Sequence, residues 1–475
     1  MNDTNRTGGA PLKWYQGLDR YCWVVLIISA LGWLFDTMDQ NLFNLVRKSS
    51  MEDLLMSREE RQKLTPEEAK KFQDEVAYKG SVVTAVFLIG WAAGGFIFGI
   101  LGDRLGRTKT MILTILIYAL FTGGSGLVHN WVLYAFMRFM TGLGVGGEWA
   151  AGAALVAETF PQRSRPMALG LLQALSAVGN MTAAAITWLI EGAGMDWRFV
   201  YFVGAAPALL VLWIRRSVKE PEQWVHAKER ATVGRELGKI GELFRHPVLR
   251  RNLIAAVLMG TAGVGALWGV GFFSTDLVLV ELEKGGVGVD ERNQVKNVMF
   301  LLQNLGSFFG IYMWAIFSER SNRRIAFFTS YALAWASVLL FFWTVSGQGA
   351  DAKGYALVLA PIMGFFTLGP FSGFTIYFPE LFPTRLRTTG CGFAYNAARI
   401  LAAAAPFALG FLKKEWGWPQ AASVVVCVYI LGFIGTWMGP ETKGKPLPED
   451  ADFDPAPAPP ASPRKFFDAE GPKEA

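Results

Sequence analysis

Apolar stretches of roughly 17 to 25 residues alternate with short polar breaks along the chain, and each stretch is long enough to cross a ~30 Å hydrocarbon core as a helix. Six fall near 22–46, 80–101, 110–128, 131–152, 167–190 and 198–214, and six more near 252–280, 296–317, 324–345, 355–378, 388–411 and 419–438. The pattern predicts an all-α polytopic membrane protein with twelve transmembrane helices, arranged six plus six. Residues 1–20 hold no apolar core and no small-residue cleavage site, so the first run is expected to stay in place as a signal anchor.

Composition strengthens this picture: 52% of residues are apolar and only 18% charged, with 36 Phe and 17 Trp, where a soluble domain carries about 25% charged residues. The net charge of +6 sits in short clusters between spans, which reads as topology and not as a nucleic-acid surface. Assigning both termini to the cytoplasm puts 28 Lys and Arg inside and 14 outside, so the positive-inside rule selects that orientation. The dissenting loop, 47–79, balances eight basic against eight acidic residues and is expected to be an external helical insertion.

The chain thus divides into a cytoplasmic N-terminus (1–20), a first half (21–214), an inter-half loop (215–251), a second half (252–438) and a tail (439–475). The loop, with ten basic and five acidic residues, is expected to form amphipathic helices on the inner leaflet. The tail, rich in Pro and acids, is expected to be disordered.

Three cysteines (Cys22, Cys391, Cys427) and three histidines (His129, His226, His246) have neither disulfide-framework nor metal-ligand spacing. No metal or cofactor is expected, and with no convergent nucleophile an enzyme is disfavoured. Glycines at 94, 95, 142, 144, 146 and 147 suit close helix packing better than a phosphate cradle.

A tandem repeat is the most specific feature. Glu158, Phe160, Pro161, Arg163, Arg165 and Gly170 recur at one offset as Glu380, Phe382, Pro383, Arg385, Arg387 and Gly392. Gly99, Asp103, Arg104, Gly106 and Arg107 recur more loosely as Ala315, Glu319, Arg320, Asn322 and Arg323. Two agreeing repeats imply pseudo-symmetric six-helix halves, the architecture of a rocking transporter. The charged members are expected to form a gating latch, Arg104 and Arg107 pairing with Glu158, Arg320 and Arg323 with Glu380.

These motifs resemble the major facilitator superfamily over about residues 20–440. The run Gly99 to Arg107 is similar to that superfamily's loop motif between helices two and three, departing at Thr108, where a basic residue is usual. Arg138 to Glu148 resembles the fourth-helix motif of its sugar and organic-acid porters. The run Phe378 to Arg387, continuing to Tyr395, Asn396 and Arg399, looks most like the metabolite:proton symporters, including sialic acid transporters. That resemblance implies that the loop motifs are the conformational latch and that a first-helix aspartate couples protons.

Ionisable groups inside membrane helices are costly and mark function by default. Asp36 and Asp39 share a face of the first helix and are both candidate proton-coupling acids. Asp39 and Arg138 lie at matching depth, so they are expected to meet if helices one and four are neighbours. Phe35, Asp36 and Asp39 resemble the porters' coupling pattern, with Thr37 and Met38 departing from it; the alternative for Asp39 and Arg138 is a purely structural ion pair. Glu148 reads as a second proton stop or a further latch acid. Arg399, with Asn396 one turn before it, is the candidate anion clamp of the second half, and bonding to carbonyls of a glycine-rich neighbour is the alternative.

Gln173, Asn180, Gln303, Asn304, Trp149, Trp268 and Phe272 complete the candidate cavity set. The reading is a proton symporter importing a small organic anion, a monocarboxylate or sugar acid, by alternating access. It is expected to act as a monomer in the plasma membrane, or the inner membrane of a Gram-negative-type bacterium. A neutral-sugar symporter or facilitator is the alternative, and a solute receptor signalling through 215–251 or the tail is a second one.

Overall fold

The computed structural model describes residues 13–231, 236–271 and 273–453. Among the described residues twelve long helices make up the body: α1 (Arg20–Leu55), α2 (Pro66–Arg104), α3 (Arg107–Ser125), α4 (Trp131–Thr159), α5 (Arg165–Ile190), α6 (Arg198–Ser217), α7 (Pro247–Lys284), α8 (Val289–Arg320), α9 (Arg323–Val345), α10 (Gly349–Leu381), α11 (Thr384–Trp416) and α12 (Trp418–Met438). Eleven are long and apolar enough to cross a membrane. The twelfth, α4, carries Arg138, Glu148 and a run of glycines and packs inside the same bundle.

Polar residues placed ahead of apolar runs set the helix starts. Asp19 accepts from the Cys22 N–H at the head of α1, Thr65 and Glu68 form a capping box before α2, and Asn130 and Asn322 cap α4 and α9. The predicted spans agree with these helices, but the insertion does not form a separate unit. α1 runs on to Leu55 and α2 begins at Pro66, so residues 47–79 are largely two continuous helices extended past the bundle, with a short turn of helix at Arg58–Arg61.

Within each group of six, the helices pack most closely as α2 on α4, α3 on α4 and α1 on α5, and as α8 on α10, α9 on α10 and α7 on α12. Glycine makes the α2–α4 crossing possible: β-carbons at Gly90 and Gly94 would run into the carbonyls of Phe139 and Leu143, and β-carbons at Gly142 and Gly146 into those of Phe87 and Trp91. The two groups meet chiefly along α5–α8 and α2–α11.

Of the two polar segments, the inter-half loop is helical as expected and the tail differs from expectation. The inter-half loop folds into short helices Glu222–Glu229 and Ile240–Arg245 that bury Trp224 and Leu243 against the bundle, and the Trp224 indole donates to the Asp103 carbonyl at 2.6 Å. Residues 439–453 of the tail are held in place and not disordered: Tyr377 donates to the Pro440 carbonyl, Thr442 to Glu380 and Arg385 to Asp450. Low apolar content is overridden there by side chains of the repeat motifs that need partners. The rest of the tail lies outside the described residues.

Candidate functional site

A central cavity of about 140 Å³ lies between the two groups of helices. Trp268, Gln173, Asn180, Gln303, Asn304 and Arg399, all expected there, line it. Arg399 is the single charged residue among the described lining residues. Its guanidinium sits 4.1 Å from the ring centres of both Trp91 on α2 and Tyr395 on α11, and it donates to the Asn396 Oδ1 at 3.2 Å. Such aromatic contact stabilises a desolvated cation and fixes its plane.

Amides join the two groups across the cavity. Asn41 donates to Asn180 at 2.6 Å, and Asn180 to Asn304 on α8 at 2.9 Å. Gln173 Oε1 accepts from the Trp149 indole at 3.1 Å and from Thr375 on α10 at 2.8 Å. Trp149 is therefore behind the wall, stacked 4.4 Å from Tyr395, and does not line the cavity. Phe272 lies outside the described residues. Sequence reasoning missed Gln40, Asn41 and Asn44, which also line the cavity. Their signal, amides inside an apolar span, was the one that marked Asn180.

Asp39 and Arg138 do meet, 3.6 Å apart and wholly buried. Thr122 donates to Asp39 at 2.6 Å, while Arg138 donates to Ser125 and Thr141 at 2.9 and 3.0 Å and faces the Tyr201 ring. This cluster is internal to α1, α3, α4 and α6. Arg138 does not line the cavity: hydroxyls of α3 and α4 take its Nε and Nη2, and its Nη1 faces Asp39. Asp36 is set apart from that pair: the Glu148 carboxyl of α4 fills the space beside Gly32, one turn before Asp36, and both acids are fully buried. Glu148 is too far up α4 to join the motif loops.

At one end of the bundle the repeat motifs come together. Arg107 grips Glu158 through Nε and Nη2 at 3.0 and 2.8 Å, and Arg387 from the second group reaches the same carboxylate at 2.6 Å. Asp103 accepts from the Thr388 and Thr389 N–H groups at 3.1 and 2.8 Å and from the Thr389 hydroxyl at 2.6 Å, capping the first turn of α11. A β-carbon at Gly99 or Gly392 would press on the α2–α11 contact, and Gly106, with φ +113°, makes the turn between α2 and α3.

In the second group, Arg323 holds Glu380 and Glu319. Two expected pairs are absent: Arg104 donates to the Leu237 carbonyl, and Arg320 is exposed at the end of α8. Their carboxylate targets are filled by Arg107 with Arg387, and by Arg323 with Thr442. Arg165 instead donates to the Ala157 carbonyl.

A third correspondence between the halves becomes visible only here. Glu220 accepts from the Thr108 and Lys109 N–H groups at the start of α3, and Glu441 from those of Arg323 and Arg324 at the start of α9. Burial opposes ionisation of Glu441, yet the N–H groups of Lys443, Arg324 and Arg323 outweigh it and hold the carboxyl below its ordinary range.

Comparison with known proteins agrees with this geometry. Residues 64–288 match the Major Facilitator Superfamily and residues 284–451 the Sugar (and other) transporter family. A probable 4-methylmuconolactone transporter of Cupriavidus pinatubonensis is 30% identical over 76% of this chain and 82% of its own length. A sialic acid transporter of Escherichia coli is 28% identical over 74% and 82%. Among solved structures, a proton:xylose symporter superposes with a TM-score of 0.68 at 17% identity, covering 91% of this chain and 99% of that one. The twelve-helix body, the paired motif loops and these relatives together make the chain a member of the major facilitator superfamily of membrane transporters.

Proposed function

We propose that this transporter imports a small organic monoanion together with a proton, with both termini cytoplasmic and the motif end as its inner gate. The observation that carries this reading is Arg399: one cation, held over two aromatic rings, in a cavity whose other described lining residues are neutral. A guanidinium so placed can receive one carboxylate, and the surrounding amides suit the hydroxyl or carbonyl groups of the same solute. The relatives that move sialic acid and 4-methylmuconolactone support an organic-acid solute. Closure at the motif end with a central cavity above it suits a state that receives solute from outside.

The amide-rich wall also favours a second reading, a neutral sugar, because Gln173, Asn180, Gln303 and Asn304 need no charge on their ligand. One assay separates the two. Proteoliposomes loaded with a pH dye are exposed to sialic acid, 4-methylmuconolactone or xylose. Internal acidification with an acid, above its passive leak, supports anion:proton symport. Xylose uptake with no response to either acid overturns it.

A further inference from the structure

We propose that Asp36 and Glu148 together form the proton-carrying site, a carboxyl pair that shares one proton and takes a second when an anion occupies Arg399. The inference rests on the symport reading above, and of the three acids expected to couple protons, Asp36, Asp39 and Glu148, it selects the first and the last.

Shape comes first. Glu148 on α4 reaches α1 because residue 32 is glycine: its carboxyl fills the space that a β-carbon at Gly32 would occupy, one turn before Asp36. Both acids have no solvent exposure, and among the described residues none of their four carboxyl oxygens finds a donor. Glu148 thus lies against α1 one turn from Asp36, and the two carboxyls are neighbours in a dry pocket. Two carboxylates have only acceptors to offer, so contact between them becomes a hydrogen bond when one holds a proton. Two ionised carboxylates touching in so dry a place would repel without compensation.

The groups around the pair define what it senses. From α3 comes the Tyr118 hydroxyl and from α1 the Ser29 hydroxyl, both buried and without a partner, and Asp39 lies one turn further along α1. On the cavity side, Thr37, next to Asp36 along α1, and Arg399 of α11, the cavity's own arginine, line the same space. With the cavity empty, Arg399 balances the single negative charge of the pair. A carboxylate bound at Arg399 takes up that balance, and a second proton then neutralises the pair. One anion and one proton enter together, and the net charge of the site stays the same.

Asp39 differs in having a donor and a cation beside it, and only its Oδ2 lacks a hydrogen bond. Thr122 donates to one of its oxygens and Arg138 stands beside the other. With Arg138 it forms a positioning pair within the first six helices, and neither side chain lines the cavity.

Infrared spectroscopy of the purified protein in lipid nanodiscs at neutral pH tests this without any substrate. The expected result is a protonated-carboxyl stretching band that Asp36→Asn and Glu148→Gln each remove and Asp39→Asn leaves in place. Size-exclusion profiles and melting curves establish that each variant is folded, and Glu148→Asp serves as a second probe by shifting the band. A band that survives both substitutions, or that disappears in Asp39→Asn alone, overturns the proposal. In proteoliposomes, acidification on adding sialic acid or 4-methylmuconolactone should disappear in Asp36→Asn and Glu148→Gln. If neither acid acidifies wild-type vesicles while the band behaves as expected, the symport reading fails and the shared-proton pair stands.

Discussion

Replacing Asp103 with Asn should open the motif end. Asp103 joins the halves through three accepted hydrogen bonds, two from backbone N–H groups of the first turn of α11 and one from the Thr389 hydroxyl, all buried. An asparagine keeps one acceptor oxygen and turns its amide donors toward an N–H that then has no acceptor. Bonds to a charged group contribute about 1.5–3 kcal/mol, against about 0.5–1.5 kcal/mol for neutral ones, so the three bonds together weaken by about 3 kcal/mol. Loss of the negative charge at the helix N-terminus removes about 0.3–1 kcal/mol more. The closed state then loses a factor of roughly 10² or more relative to the open one, at about 1.4 kcal/mol per decade.

Spin labels at Lys109→Cys and Arg320→Cys would report this change, since both positions are exposed at the motif end of different halves. Cys22, Cys391 and Cys427 are first replaced. Wild-type protein should give mainly the short distance, and Asp103→Asn a population shifted to a longer one. An unchanged distribution in a folded variant would refute the reasoning, because the Arg387–Glu158 bridge would then suffice to hold the end shut.

Other outcomes follow from the same geometry. Arg399→Gln should raise the KM for sialic acid or 4-methylmuconolactone by about 2–5 kcal/mol in equivalent free energy, close to loss of measurable uptake, as flux assays would show. Gly146→Val should force α2 from α4 at the Trp91 carbonyl and destabilise by about 1–3 kcal/mol or more, visible as a lower melting temperature. Glu441→Ala removes the acceptor for two N–H groups at the start of α9 and should cost about 1 kcal/mol. Because the Glu441 carboxyl is held below its ordinary value, that difference should be full above the unfolded carboxyl's range and shrink as pH falls through it, which melting curves at several pH values would reveal.

The helices were legible because hydrophobic run length is a direct imprint of the bilayer, and the repeat was legible because both copies kept their charges. Depth along a helix was readable too, which is why Asp39 and Arg138 were matched before their helices were known to touch. Rotation about a helix axis was harder to read. Three residues of offset within α1 send Asp39 to Arg138 and Asp36 to Glu148, a split that depends on the glycine at position 32. The tail from 439 to 453 was misread for a different reason: its order comes from tertiary partners such as Arg385 and Glu380, and composition carries no trace of them.

The α2–α11 crossing also has a mechanical meaning. Asn396 fits against Gly95, and Gly392 rides on the Gly95 carbonyl, so the two helices are in backbone contact and can roll on one another more easily than they can part. Gly95 lies nine residues from the Arg104 end of α2 and 29 from its Pro66 end, lever arms of about 14 and about 44 Å at 1.5 Å per residue. Rotation about this fulcrum therefore moves the far end of α2 about three times as far as the motif end. The extended helices around residues 47–79 sit at the tip of the long arm, where a small yielding of the motif end becomes a wide sweep at the opposite end.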